Sequence, residues 1–192
     1  GTADDRYDDV TFNASAGTGG NETLFDVIAD NGLREFAFSS TGVIYKSPGG
    51  AQAGLWERHG TLDLAGALRD AEAVANGTQE SYIAVGDAGS IVRSVDGADP
   101  LSVTAPAGVT ASLRQVDWTG SVSAANPELH IIGDADPATG KATYLSSADL
   151  GASWSLVDDG LRGSWNGIDV RDGTSASGYE AWVVGASSRA PP

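Results

Sequence analysis

The stretch Ile83-Ala-Val-Gly-Asp87, followed at once by Gly89-Ser-Ile-Val-Arg-Ser94, decides the fold. An apolar strand runs into a turn of small residues, and a second strand starts directly behind it. The pattern recurs. Phe36-Ala-Phe-Ser-Ser40, His130-Ile-Ile-Gly-Asp134 and Trp182-Val-Val-Gly-Ala186 repeat its first half. Gly42-Val-Ile-Tyr-Lys-Ser47 and Lys141-Ala-Thr-Tyr-Leu-Ser146 repeat its second. Aligning Phe38, Val85, Ile132 and Val184 gives spacings of 47, 47 and 52 residues.

Working outward, each pair has a strand-like stretch upstream: Leu24 to Ala29, Ala67 to Val74, Leu113 to Trp118 and Trp165 to Val170. A closing strand follows the first three, around Leu55-Trp56-Glu57, Leu101-Ser-Val103 and Trp154-Ser-Leu-Val157. Leu64, Leu68, Ala71 and Ala75 fall at helical spacing, but the repeat register places a strand at the end of that segment. Four short antiparallel strands per unit of about 40–50 residues is the period of a β-propeller blade. The expected fold is all-β: a propeller of about four four-stranded blades, with repeats at roughly 21–60, 61–108, 109–160 and 161–192. The last unit stops after two strands, so either it is incomplete or Tyr7-Asp-Asp-Val-Thr-Phe12 within residues 1–20 closes it. The chain also reads as part of a larger chain or assembly, because unpaired strand edges invite association.

Composition sets the milieu. The 26 acidic residues, 19 of them Asp, face nine Arg and only two Lys, for a net charge of -15. Such a field repels nucleic acid, which needs Lys and Arg to neutralise its phosphates. No apolar run of about 18 residues is present, so no direct membrane insertion by a helix is expected. Zero Cys excludes disulfides, thiolate metal sites and a cysteine nucleophile. Short carboxylates hold water and cations, whereas lysine exposes a long alkyl stem. This bias resembles that of haloarchaeal proteins from salt-saturated cells. Three sequons, at Asn13, Asn21 and Asn76, are glycan acceptors if the chain is exported. On these grounds the expected location is extracellular or at the cell surface of a halophile, or in a virus particle.

One motif is sharper than the rest. Ser147-Ala-Asp149-Leu-Gly151-Ala-Ser153-Trp154 matches the pattern Ser-x-Asp-x-Gly-x-Thr-Trp, with Ser153 in place of Thr. Ser94-Val-Asp96-Gly97 is a truncated copy and Ser47-Pro-Gly-Gly50 a more eroded one. The chain therefore resembles the BNR/Asp-box and photosystem-assembly-factor-like propeller families. That resemblance implies a structural role for Ser147, Asp149, Gly151, Ser153 and Trp154 at a hairpin between the third and fourth strands of a blade. Asp accepts hydrogen bonds from turn amides, Gly permits positive φ, and Trp anchors the turn.

Catalytic readings are weaker. Sialidases share the fold, but no Arg-Ile-Pro triplet occurs, and Tyr179 and Glu180 are neighbours that point to opposite faces of a strand. The doublets Asp4-Asp5, Asp8-Asp9 and Asp158-Asp159 read as solvated surface. Gly133-Asp-Ala-Asp-Pro-Ala-Thr-Gly-Lys141 fails the phosphate-loop spacing and reads as a strand-connecting turn. Within it Asp134 and Asp136 are weak candidates for a hard cation. His59 and His130 fall in different repeats, and the five Trp at strand positions read as packing. No cofactor pattern is present. The expected function is a non-enzymatic scaffold or recognition module binding protein or glycan; the alternatives are a sialidase-like glycoside hydrolase and an intracellular assembly factor.

Self-repulsion among the carboxylates gives the first prediction. At molar salt the Debye length is about 3 Å. The melting temperature is expected to rise between about 0.1 M and about 3 M KCl, and an unchanged value contradicts the halophile reading.

Overall fold

The structure, a computed structural model, describes residues 23–29, 34–47, 56–64, 66–75, 80–119, 127–157, 160–172 and 179–187. The first blade is β1 (Leu24–Ala29), β2 (Glu35–Ser39), β3 (Ile44–Ser47) and β4 (Glu57–Arg58). The second is β5 (Leu68–Ala75), β6 (Glu80–Gly86), β7 (Ile91–Val95) and β8 (Leu101–Val103). The third is β9 (Leu113–Trp118), β10 (Leu129–Ala135), β11 (Ala142–Ser147) and β12 (Ser155–Leu156), and the fourth holds β13 (Gly163–Asp172) and β14 (Tyr179–Ser187). Each sheet is an antiparallel meander in chain order. Among the described residues the only helical turn is a single 3-10 turn at Asp87–Gly89.

The expected all-β propeller architecture is present, in four successive sheets. Three are four-stranded; the fourth has two strands among the described residues. Its proposed closing strand, Tyr7 to Phe12, lies outside the described residues. The helically spaced Leu64–Ala75 segment is strand from Leu68 onward. Its apolar residues are claimed by two neighbours at once: Leu68 and Ala71 pack towards the first blade, Val74 towards the third.

The small-residue turn has a steric cause. A β-bulge interrupts the pairing near the start of β5, β9 and β13, between Leu68 and Asp70, between Leu113 and Gln115 and between Trp165 and Gly167. There the chain presses a backbone carbonyl against the second strand of its blade. A Cβ on Gly86, Gly133 or Gly185 would fall well inside contact distance of the carbonyl oxygens of Ala67, Ser112 and Ser164. The glycine that marks the repeat is thus required by the bulge it faces.

Consecutive blades pack face to face. Phe36 and Phe38 meet Leu68, Ala71 and Tyr82; Ile83 and Val85 meet Leu113, Val116 and Ile131; Ile132 meets Ile168 and Val170. Each fully buried aliphatic side chain contributes about 1.5–3 kcal/mol. Polar latches flank these layers on both sides. Near the axis, Asp26 Oδ2 accepts the Ala71 N–H at 2.9 Å, Asp70 Oδ2 the Val116 N–H at 2.8 Å, and Gln115 Oε1 the Ile168 N–H at 3.0 Å. Asp26, Asp70 and Gln115 are equivalent: each pairs with the aligned residue Phe38, Val85 or Ile132. At the outer rim, Lys46 Nζ donates to Gly97 O at 3.2 Å and Arg93 Nε to Leu150 O at 2.7 Å. Both grip the turn between the third and fourth strands of the next blade.

The bulge argument predicts unequal costs for two glycine substitutions. Gly133→Ala is expected to destabilise by about 3 kcal/mol or more, because backbone must move. Gly108→Ala, at φ +90° with open space around it, is expected to cost only about 1–2 kcal/mol. Chemical denaturation of both variants measures the difference.

Candidate functional site

The bulges place two arginines at one end of the innermost strands. Arg69 Nε donates to Asp87 Oδ1 at 2.7 Å, and Arg114 grips Asp134 with two bonds of 2.9 Å. Asp87 and Asp134 are the residues that follow the repeat glycines, so the second and third blades each close their own Arg–Asp pair. Ser112 Oγ, from the third blade, donates to Asp87 Oδ1 at 3.0 Å. Partial burial works to raise the Asp87 pKa, but the hydrogen bonds from Arg69 and Ser112 hold it below the usual carboxylate value. All four charged side chains remain about one-third exposed.

Further along the same strands carboxylates gather, and the charges that act on Asp70 and Glu72 are those of other carboxylates. Burial pushes Asp70 up to about 7, helped by the charges of Asp26 and Asp117 and opposed by the Val116 amide. Burial likewise pushes Glu72 to about 7, with Asp117, Asp70 and Asp26 adding to it. Asp26 and Asp117 are also raised by burial, against the amides they cap. Asp117 Oδ2 accepts the Val170 N–H at 2.7 Å, a second latch to the fourth blade.

The cation candidates are engaged elsewhere: Asp134 faces Arg114, while Asp136 accepts the Ala138 amide and the Thr139 hydroxyl, each at 2.8 Å, within its own turn. Among the described residues no group of three or more His, Cys, Asp or Glu is placed to hold a metal ion. His59 sits against Phe36 and Tyr82 between the first two blades. His130 lies between the last two, sharing a 2.9 Å hydrogen bond with the Tyr144 hydroxyl and packed by Tyr179 at 4.3 Å between ring centres. Burial lowers the His130 pKa to about 4. The two histidines therefore serve different interfaces. Tyr179 faces His130, and Glu180 pairs across the strands with Arg171. The sequons Asn13, Asn21 and Asn76 and the doublets Asp4-Asp5, Asp8-Asp9 and Asp158-Asp159 lie outside the described residues.

The Asp-box forms a closed hydrogen-bonded turn between β11 and β12. Ser147 Oγ accepts the Gly151 N–H at 3.0 Å and donates to Asp149 Oδ1 at 2.8 Å. Asp149 accepts the Ser153 N–H at 2.9 Å and the Ser153 hydroxyl at 2.6 Å. Burial alone would raise the Asp149 pKa, but these donors outweigh it and hold it down. Leu150 and Gly151 take positive φ, and Gly151 leaves no room for a Cβ beside Ile83 of the second blade. Trp154 packs into the same layer. The box thus belongs to the interface between the second and third blades.

Beside the box runs a groove of about 490 Å³. Arg93, Val95, Asp99 and Leu101 line its second-blade wall; Ser153 and Trp154 line the other. Its floor follows β8, the outermost strand of its sheet among the described residues. Leu101 on this strand is 70% exposed.

The sequence reading missed the axial residues and the groove. The axial signal was present: Leu68-Arg-Asp70 and Leu113-Arg-Gln115 recur 45 residues apart. The groove had none, because its walls come from separate repeats.

These features define a run of successive β-propeller blades. No family model matches the chain and no curated protein matches it. Among solved structures it is similar to "YCF48 bound to D1 peptide", with a TM-score of 0.56 at 16% identity. The match covers 86% of this chain and 52% of that one, so the chain spans about half the length of the structure it resembles. The likeness establishes the fold.

Asp70 supplies a test of the axial electrostatics. Its folded pKa near 7 exceeds the ordinary 3.8. The wild type therefore loses stability as pH rises from about 4 to about 7. Asp70→Asn keeps an acceptor for Val116, as Gln115 does for Ile168, and removes that loss. Its melting temperature is expected to match wild type near pH 4 and to exceed it above pH 7, by an amount equivalent to about 1 kcal/mol or more. His130 acts in the opposite sense, losing stability as pH falls from 6.5 towards about 4. The difference between variant and wild type cancels that term.

Proposed function

We propose that this chain is a non-enzymatic recognition scaffold of BNR/Asp-box type, working in hypersaline surroundings and binding an extended segment of a partner protein along the rim groove. The groove beside β8 carries this reading. It combines an apolar strip of Val95, Leu101, Val103 and Trp154 with an outermost strand, and polar groups at Arg93, Asp99 and Ser102 along its length. Strand addition to such an edge takes affinity from main-chain hydrogen bonds and specificity from alternate side-chain pockets. Peptide recognition by a chain of the same fold supports a protein ligand over a glycan. The acidic, lysine-poor composition supports the saline setting. Asp26, Asp70 and Asp117 cap amides of the next blade, and a group so occupied is a poor acid or base for hydrolysis.

The test is selection from a displayed library of extended heptapeptides at molar KCl. Binders with alternating apolar residues are expected, and Leu101→Asp should weaken them at least about tenfold by removing an apolar contact at the edge. Leu156→Asp, an exposed leucine on β12 outside the groove, should leave them unchanged. Binding insensitive to Leu101→Asp, or turnover of a fluorogenic sialoside, overturns the proposal.

A further inference from the structure

The two ends of the blade series are complementary to each other. At every internal junction, one face of a blade presents a pair of side chains on its second strand to the blade that follows. These pairs are Phe36 and Phe38, Ile83 and Val85, and His130 and Ile132, none more than 1% exposed. The equivalent pair in the fourth blade is Trp182 and Val184, and these are 49% and 66% exposed. Their place in the strand is the same: Trp182 pairs with Asp169, as His130 pairs with Asp117 and Ile83 with Glu72. This corrects the expectation that all five tryptophans are buried packing. Arg171 lies over the Trp182 ring, 5.4 Å from its centre, and pairs with Asp169 at 2.7 Å.

The receiving face behaves in the same way. Ala71, Val116 and Ile168 occupy one position on the first strand of their blades, are at most 6% exposed, and share a cluster with Phe38, Val85 and Ile132 respectively. The corresponding residue of the first blade is Val27, which pairs with Ala37 and is 40% exposed, beside Phe25 at 47%. The backbone repeats the contrast. The N–H groups of Ala71, Val116 and Ile168 are capped by the preceding blade, whereas the Val27 N–H is capped at 2.8 Å by the Oδ1 of its own neighbour Asp26. The described blades therefore leave exposed one presenting face and one receiving face, of the same kind that fit together three times between them.

We infer that the chain associates head to tail with a second copy of itself, the Trp182–Val184 face of one copy packing on the Val27 face of the other. Such a contact is heterologous, and two copies close it into a ring when the rotation per chain is half a turn. The solved propeller that the chain resembles extends to nearly twice the matched length, which is the extent two copies would supply. Asp169 occupies the position from which Asp117 caps Val170. Across the new junction it would reach the equivalent amide of the first blade, at Ala29. The inference is independent of what the rim groove binds.

The absence of cysteine makes the junction directly testable. Internal clusters hold the equivalents of Val184 and Val27 together, so Val184→Cys on one copy and Val27→Cys on another should meet. Mixed single-cysteine variants, oxidised in molar KCl, are expected to give a disulfide-linked dimer, while either variant alone gives little. Light scattering should report twice the 19.5 kDa chain mass for the wild type. Val184→Glu and Val27→Glu should each shift it to the monomer with an unchanged circular-dichroism spectrum. A wild type that stays monomeric into the millimolar range overturns the inference, since it means that other blades complete the ring. Crosslinking of like with like overturns it as well.

Discussion

The innermost strand of each blade has sheet on one side only, and that constraint organises this molecule. Its axial-edge amides have no further strand to pair with, and a buried unpaired N–H costs about 1–3 kcal/mol. The chain resolves this by lending an acceptor from the blade before. Asp26, Asp70 and Gln115 repeat the solution at three successive junctions, and Asp117 adds a fourth bond at the last. Each cap therefore works only while two blades are docked. Local hydrogen bonding and blade packing become a single cooperative term.

The solution carries an electrostatic cost. An acceptor on a short side chain that can reach across to the next strand is a carboxylate or an amide, and the chain uses Asp at two of the three equivalent places. The carboxylates then stand close enough to raise one another, on top of what burial does. Gln115 shows that a neutral acceptor serves the same geometry. Retaining charge at the axis is tolerable where counter-ions are abundant, because screening acts on just this mutual repulsion.

Much of the fold was legible because two of its causes are written in adjacent residues. The Val-Gly-Asp turn records a bulge that excludes Cβ, and the unbroken apolar run Ile83-Ala-Val85 before it records a sheet covered on both faces by its neighbours. The Asp-box was legible for the same reason, since every hydrogen bond in it lies within seven residues. What stayed hidden depends on pairs about 45 to 57 residues apart: the Asp26–Ala71 cap, the Arg93 grip on Leu150, the groove between Leu101 and Trp154. The helical spacing of Leu64, Leu68, Ala71 and Ala75 misleads because the bulge between Leu68 and Asp70 breaks the two-residue period and brings Leu68 and Ala71, three residues apart, into one cluster. Trp182 was misread because its neighbours in the alignment are buried by a blade that follows them.

The scarcity of basic residues acquires a meaning from where they sit. Arg34 donates to Asp96 O, Lys46 to Gly97 O and Arg93 to Leu150 O, so three of these cations hold the next blade by its turn carbonyls. Arg58 donates to the nearby Leu62 carbonyl and Arg162 to the Thr139 carbonyl of the third blade, while Arg69 and Arg114 close the axial pairs. A side chain that must bridge from one blade to the turn of the next needs both length and a donor at its tip, which Asp, Ser and Thr cannot offer. Among the described residues the basic side chains are thus concentrated on structural carbonyls and carboxylates. The remaining surface is left to carboxylates, whose short stems bind water and cations with little apolar area. A composition that looks like an adaptation to salt and a latch system that holds blades together are then two outcomes of one allocation of side chains.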